Sequence, residues 1–416
     1  MALVLKGRVR DTTATTGTGS ITLNNTPPAT FRSFASVCNV GDVVWAMIAS
    51  QNSTDWEEGL YTYSAANTLA RTAALVLDGF SGPGTLVSLS AGTHDVYIIQ
   101  PIAKMASIPH GPAQGRLTNS TGTPVLSADV ASATTVYYSP YCGQFCPIYN
   151  GTFFEMTDIG GELSQLLSDA TKSPAAAVAN TVYDMFVWVD RSTPTAPVVR
   201  CTRGPAWSTS LARSLTLQRL NGIWTNASAI TNGPAINLGT YVGSILTDAG
   251  AAAVSMKFGT TAALGGQAYI GIWNTFNRIE IGGMVSDSTA SWTYASTAYR
   301  SANGSVTNSV VFVRGLAEDR VEAIYSFEVS TATGNASLLY AGIGLDSTTG
   351  TAAKSIRTGA GFQGTTAGPY GPSVAFYNEN TAIGAHYLYA LEGNPLSIAV
   401  TINGNPTQGL QYSLSG

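Results

Sequence analysis

Charge is scarce in this sequence. Only 11% of its 416 residues are Asp, Glu, Lys or Arg, where ordinary soluble chains carry roughly 25%. The 24 acidic and 20 basic side chains form no basic cluster, which argues against a nucleic-acid partner. No apolar run approaches the roughly 18 residues of a membrane-spanning helix, so membrane insertion is not expected. Three histidines, His94, His110 and His386, stand alone, and a surface or hydrogen-bonded structural role is expected of each. Four cysteines do not make a disulfide framework at this length. Cys142 and Cys146 lie close together in YCGQFCP. Two ordinary thiols are the first reading, and a local disulfide requires the loop to bend. Zinc comes third, because Cys38 and Cys201 are remote in sequence and histidine is rare. The opening MALVLKGRVR lacks the apolar core and cleavage site of a signal peptide, so assembly in a cytoplasm is expected.

What is present is apolar and small. Hydrophobic residues make up 44% of the chain, with 44 Gly and 18 Pro. Ser, Thr, Asn and Gly must therefore supply the soluble surface, which suits strands and tight turns. Alternation supports this. SITL places Ile21 and Leu23 on one face. EAIYSFEVS sets Ala323, Tyr325, Phe327 and Val329 against Glu322, Ile324, Ser326 and Glu328. VYDMFVWVD is apolar on both faces from Met185 to Val189, as a central strand is. Strands are expected at 308–314, 321–330, 336–343, 373–378, 385–391 and 396–402. One segment breaks the pattern: Ile159, Leu163, Leu166 and Leu167 fall at helical spacing after Asp158, a possible N-cap. One short helix near 158–172 is expected there. The fold class is all-β, several β-sandwich or jelly-roll-like domains in series with that one helix.

No sequence constellation carries catalysis. There is no nucleophile elbow and no phosphate-binding loop. Gly359, Gly361 and Gly364 match Gly-x-Gly-x-x-Gly, but TTAGPYGP follows and cannot open a helix, so a flexible loop is expected. Asp55, Glu57 and Glu58, or Glu318, Asp319 and Glu322, could supply a glycosidase pair, with surface charge the commoner explanation. No catalytic residue, cofactor or metal is assigned. Aromatics are more suggestive. Tyr370, Phe376, Tyr377, Tyr387 and Tyr389 crowd the last hundred residues, some beside NENT and GAHY. A ring for C–H surface and an amide for hydroxyls suit a sugar, and the same rings suit strand-core packing. Tyr370, Tyr377, Asn378, Asn380 and Tyr387 form the candidate ligand-binding set, because they lie in or beside expected loops.

Two stretches carry a resemblance. LVLKGRVRDTTATTGTGSITL, SFASVCNVGDVVWAMI, WEEGLYTY, NTLAR and LSAGTHDVYII resemble a module of tailed-bacteriophage virion proteins, often found at the N-terminus of tail fibres and other appendages. Arg8, Val9, Asp11, Thr12 and Thr13 match its start, with Asp where Glu is more usual. Gly17, Thr18 and Gly19 match its turn, Trp56, Glu57 and Gly59 its central step, and Gly92, Thr93 and Val96 its end. From RLTNSTGTPVLSADVASATTVYYSPYCGQFCPIYNG to SWTYASTAYRSANGS, the chain is similar to a segment of phage and prophage fibre or appendage proteins. That resemblance reaches about residue 325.

The resemblance implies a virion protein. The expected domains are 1–105, docking to the particle; 116–275, a middle β domain; and 284–416, a distal β-sandwich of jelly-roll type. A non-enzymatic fibre or spike that attaches to host-surface polysaccharide is the first functional expectation. A capsid or neck decoration protein and a glycan depolymerase are the alternatives. Other virion proteins are the expected partners. A homotrimer is expected too, because closed symmetry covers strand edges.

Overall fold

The computed structural model describes residues 4, 6–99, 111–193, 197–250, 252–330, 337–362, 372–404 and 408–416. The chain is all-β across multiple sheets, with only three-residue 3-10 turns besides strands among the described residues. It packs as two compact units, Met1–Pro109 and His110–Gly416.

The first unit is a seven-stranded antiparallel sheet. Its order runs Arg10–Thr13, His94–Ile98, Val43–Ser50, Trp56–Ala65, Thr68–Ala70, Ile21–Thr22, and Val76–Gly79 pairs with Trp56–Ala65. Strict alternation in VVWAMIAS buries Val44, Ala46 and Ile48 completely, and they meet Ile21, Leu23, Phe34 and Leu69 in one core. The threonines of the opening stretch are backbone partners. Thr13 Oγ1 donates to the Thr22 carbonyl at 2.7 Å, and Thr22 N donates to Thr15 Oγ1 at 3.0 Å.

Motif residues far apart in sequence converge in this unit. Glu57 is fully buried and accepts from Val87 N at 2.6 Å, Tyr61 Oη at 2.9 Å and Arg71 Nη1 at 3.4 Å. Arg71 also donates to the carbonyls of Gly19, Gly17 and Val87 at 2.8, 2.7 and 3.1 Å. Neither charged side chain reaches solvent. Gly59 lies so close to the Leu75 carbonyl that a Cβ would stand 2.8 Å from it, so only glycine fits there.

The second unit stacks three large sheets. The first has six strands, ordered Val198–Ala206, Val182–Asp190, Thr240–Leu246, Ile223–Asn226, Leu217–Leu220, with Ile272–Asn274 paired to Thr240–Leu246. The next has eight, running Gly359–Phe362, Ser337–Leu345, Gly384–Gly393, Ser309–Arg314, Ala268–Ile270, Val254–Lys257, Val130–Ala133, plus Arg300–Ser301. The last also has eight. Its path is Thr261–Ala262, Glu280–Asp287, Gly409–Ser415, Arg320–Ser330, Ser373–Asn380, Ile356–Arg357, with Val400–Asn403 and Ser291–Tyr294 to one side. Every residue of Ser309–Arg314 is buried, because that strand serves two interfaces. Val311 and Val313 pack with Phe186, Tyr241 and Trp273 of the six-stranded sheet. Val310 and Phe312 join Ile343 and Leu388 in a core shared with Val321, Tyr325, Tyr377 and Leu410 of the last sheet.

Three expectations are corrected. The helix near 158–172 is absent: Phe154–Asp158 and Leu163–Leu166 are strands. Asp158 Oδ1 does accept a backbone N–H, that of Gly160 at 2.8 Å. However, Gly160 and Gly161 adopt positive φ, +69° and +123°, which turns the chain before a helix can nucleate. Leu166 is then exposed while Leu167 is buried, an alternation that helical spacing had masked. Second, no boundary at 276–283 separates a middle domain 116–275 from a distal domain 284–416. Val130–Ala133, Val254–Lys257 and Ala268–Ile270 complete the sheet that holds Ser309–Arg314 and Gly384–Gly393, and one core spans both regions. Third, the expected glycine loop begins as a strand, Gly359–Phe362, paired with Ser337–Leu345; Gly364 lies outside the described residues.

Candidate functional site

The outer face of the last sheet carries an open groove of about 700 Å³. Four neighbouring strands form its floor, and their register lines up two cross-strand rungs. One runs Gly282, Ser413, Glu322, Asn378. The other runs Met284, Gln411, Ile324, Phe376 and continues to Ile356. The first rung is polar: Asn378 Nδ2 donates to Glu322 Oε1 at 2.8 Å. Ser413 Oγ donates to Glu280 Oε1 at 2.7 Å at its other end. The second rung is apolar apart from Gln411 and open to solvent, with Ile324 40%, Phe376 45% and Ile356 70% exposed. Period-2 alternation produces this: Ala323, Tyr325 and Tyr377 face the core, and their neighbours face out.

The candidate residues separate accordingly. Asn378 lines the groove, and Asn380 is exposed near the end of the same strand. The Tyr377 side chain points the other way, 2% exposed in the core. Burial pushes its phenol up to about 12, and its hydroxyl has no partner among the described residues. Tyr387 belongs to the neighbouring eight-stranded sheet, stacked on Tyr389 at 5.8 Å with ring planes 5° apart. Tyr370 lies outside the described residues. The set is therefore not one cluster. Phe376, noted among the aromatics, and Glu322, noted among the carboxylates, fall outside that set, as do Ser413 and Ile324, although Ile324 among Glu322, Ser326 and Glu328 was a visible apolar interruption of a polar face.

Tyr377→Phe removes only the unpartnered hydroxyl. Its expected effect on thermal unfolding is neutral to stabilising, by up to about 1 kcal/mol. A clear loss of stability would show that the hydroxyl is satisfied after all.

The other suggestive groups are engaged in structure. Asp55 accepts from Ser90 N at 2.8 Å, and Glu57 is the buried partner of Arg71. Asp319 bridges Arg278 at 2.6 Å and Arg314 at 3.2 Å, and Glu318 pairs with Arg219 and Arg278. Buried His94 lies near Ser90 and Asp55, but its Nε2 meets the Ser90 backbone carbonyl at 3.0 Å, not the hydroxyl, so no nucleophile–base pair is formed. His386 lies between Asp346 at 2.8 Å and the Ala382 carbonyl at 3.0 Å; His110 is outside the described residues. All four cysteines are free, Cys142 exposed and the others buried. Burial pushes the Cys201 thiol up to about 12, away from nucleophilic thiolate chemistry. Among the described residues no group of three or more His, Cys, Asp or Glu side chains is placed to hold a metal. No helix among them is long and apolar enough to cross a membrane.

No family model matches the chain, and no curated protein matches it. Among solved structures it is similar to a Bacillus thuringiensis Cry1Da tryptic core variant, at 8% identity over 75% of this chain and 53% of that one. The chain thus spans about half that structure's length, and the TM-score of 0.12 carries no argument.

Proposed function

We propose that this chain is a non-catalytic structural subunit of a tailed-bacteriophage particle. In this reading it docks through residues 1–105 and presents the second unit to the host surface. The observation that carries it is the solvent-open groove, ligand-sized and built on four hydrogen-bonded strands. The spaced residue matches of the first unit supply the virion context. Their convergence on Glu57 and Arg71 fits a self-contained docking module. Homotrimeric assembly with other virion proteins belongs to the same reading.

The test is incorporation. A chain lacking residues 1–105, produced in infected cells, is expected to stay out of purified particles, whereas the full chain is found on them by immunogold labelling. Equal loading of the truncated chain would place the anchor elsewhere. Labelling confined to the capsid or neck, with no effect of the chain on adsorption, would favour a decoration role. New reducing ends from host polysaccharide would move the chain to the depolymerase class.

A further inference from the structure

We propose that the groove takes a neutral oligosaccharide and excludes acidic ones. This rests on the attachment reading and names the ligand class at that site. The argument begins with the two rungs. A pyranose presents C–H surface on one side and hydroxyls at its rim. The apolar rung offers Ile324 and the exposed Phe376 ring for the former. Beside it, the polar rung offers a carboxylate already fixed by an amide, Glu322 held by Asn378. Such a pair accepts from one hydroxyl and donates to another without reorganising, and a carboxylate acceptor makes the stronger, charge-assisted bond.

Charge then sets specificity. Two carboxylates, Glu280 and Glu322, line the groove, and none of the described residues lining it is basic. Arg320, two residues along the strand from Glu322, lies outside that lining. A uronic acid, sialic acid or phosphate seated on the apolar rung would bring like charge against Glu322 with no cation in the groove lining to offset it. Neutral hexoses and N-acetylhexosamines carry no such penalty.

The experiment uses the full chain and saturation-transfer NMR. Maltotriose, cellotriose and N-acetylchitotriose are the neutral probes, and trigalacturonate is the acidic one. At least one neutral probe is expected to bind with affinity on the order of millimolar, and trigalacturonate not at all. Phe376→Ala should weaken the neutral probe by roughly tenfold or more, with Phe376→Tyr staying within about threefold. Both variants sit on an exposed face, and an unchanged unfolding midpoint confirms that they fold. Glu322→Gln should admit trigalacturonate, a gain that a merely structural glutamate would not give. Binding of trigalacturonate to the wild-type chain, no response from any neutral probe, or an unaffected Phe376→Ala would each overturn the inference. So would a concentration-dependent rise in mass abolished by Phe376→Ala, which would assign the face to a second copy of the chain. Particle incorporation is read separately. A chain found on virions but silent to sugars loses only this inference, and one that binds sugar but is absent from virions loses the attachment reading.

Discussion

Arg71→Ala is expected to destabilise the first unit by about 3–5 kcal/mol, the range for stranding one partner of a buried ion pair. Glu57 would remain at 0% exposure with its charge uncompensated, keeping only Tyr61 and the Val87 amide as donors. The Gly17, Gly19 and Val87 carbonyls would lose their guanidinium donor at the same time. The loss should be local, because the first unit has its own core. Hydrogen exchange read by mass spectrometry should therefore show loss of protection in Val43–Ser50 and Trp56–Ala65, and none in Val182–Asp190. Removing the charge as well, in Glu57→Gln with Arg71→Met, should recover most of the loss. An unchanged midpoint in Arg71→Ala would mean that the pair is not buried as described.

Phe312→Ala should cost the second unit about 3–5 kcal/mol, as expected for a large ring removed from a packed core. Phe312 is fully buried between the two eight-stranded sheets. The diagnostic point is which residues respond. Protection should fall together in Val130–Ala133, Val254–Lys257 and Gly384–Gly393, since these strands share one sheet. A fragment starting at residue 284 is correspondingly expected not to fold. It lacks Ala268–Ile270, the parallel partner of Ser309–Arg314. It also lacks much of Glu280–Asp287, which pairs with Gly409–Ser415. A cooperative unfolding transition in that fragment would restore the independent distal domain.

The strand content was legible because alternation is a local signal. EAIYSFEVS declares its two faces residue by residue, and Arg320–Ser330 has those faces. Buried strands such as VYDMFVWVD were legible for the opposite reason, being apolar throughout. What stayed hidden was nonlocal. Nothing in SADVASA indicates that Val130–Ala133 will pair with Val254–Lys257, so a boundary between 275 and 284 was drawn that the sheets ignore. The segment after Asp158 failed because four apolar residues fit two periods, and two glycines at positive φ decide between them. The site failed by one residue. Tyr377 attracted notice for its ring and hydroxyl, but Phe376 and Asn378 own the outward face.

The position of Gly409–Ser415 has a consequence for biosynthesis. That strand is central, hydrogen-bonded on one side to Glu280–Asp287 and on the other to Arg320–Ser330. Until residue 415 leaves the ribosome, the sheet is two separate halves with facing unpaired edges and an uncovered apolar surface. Sequence separations of roughly 83 to 135 residues across those pairings put folding of this sheet among slow, nonlocal β-topologies. During that interval the open edges are templates for joining other nascent chains. A polysome translating several copies side by side would bring such edges together before Gly409–Ser415 has been added to each chain.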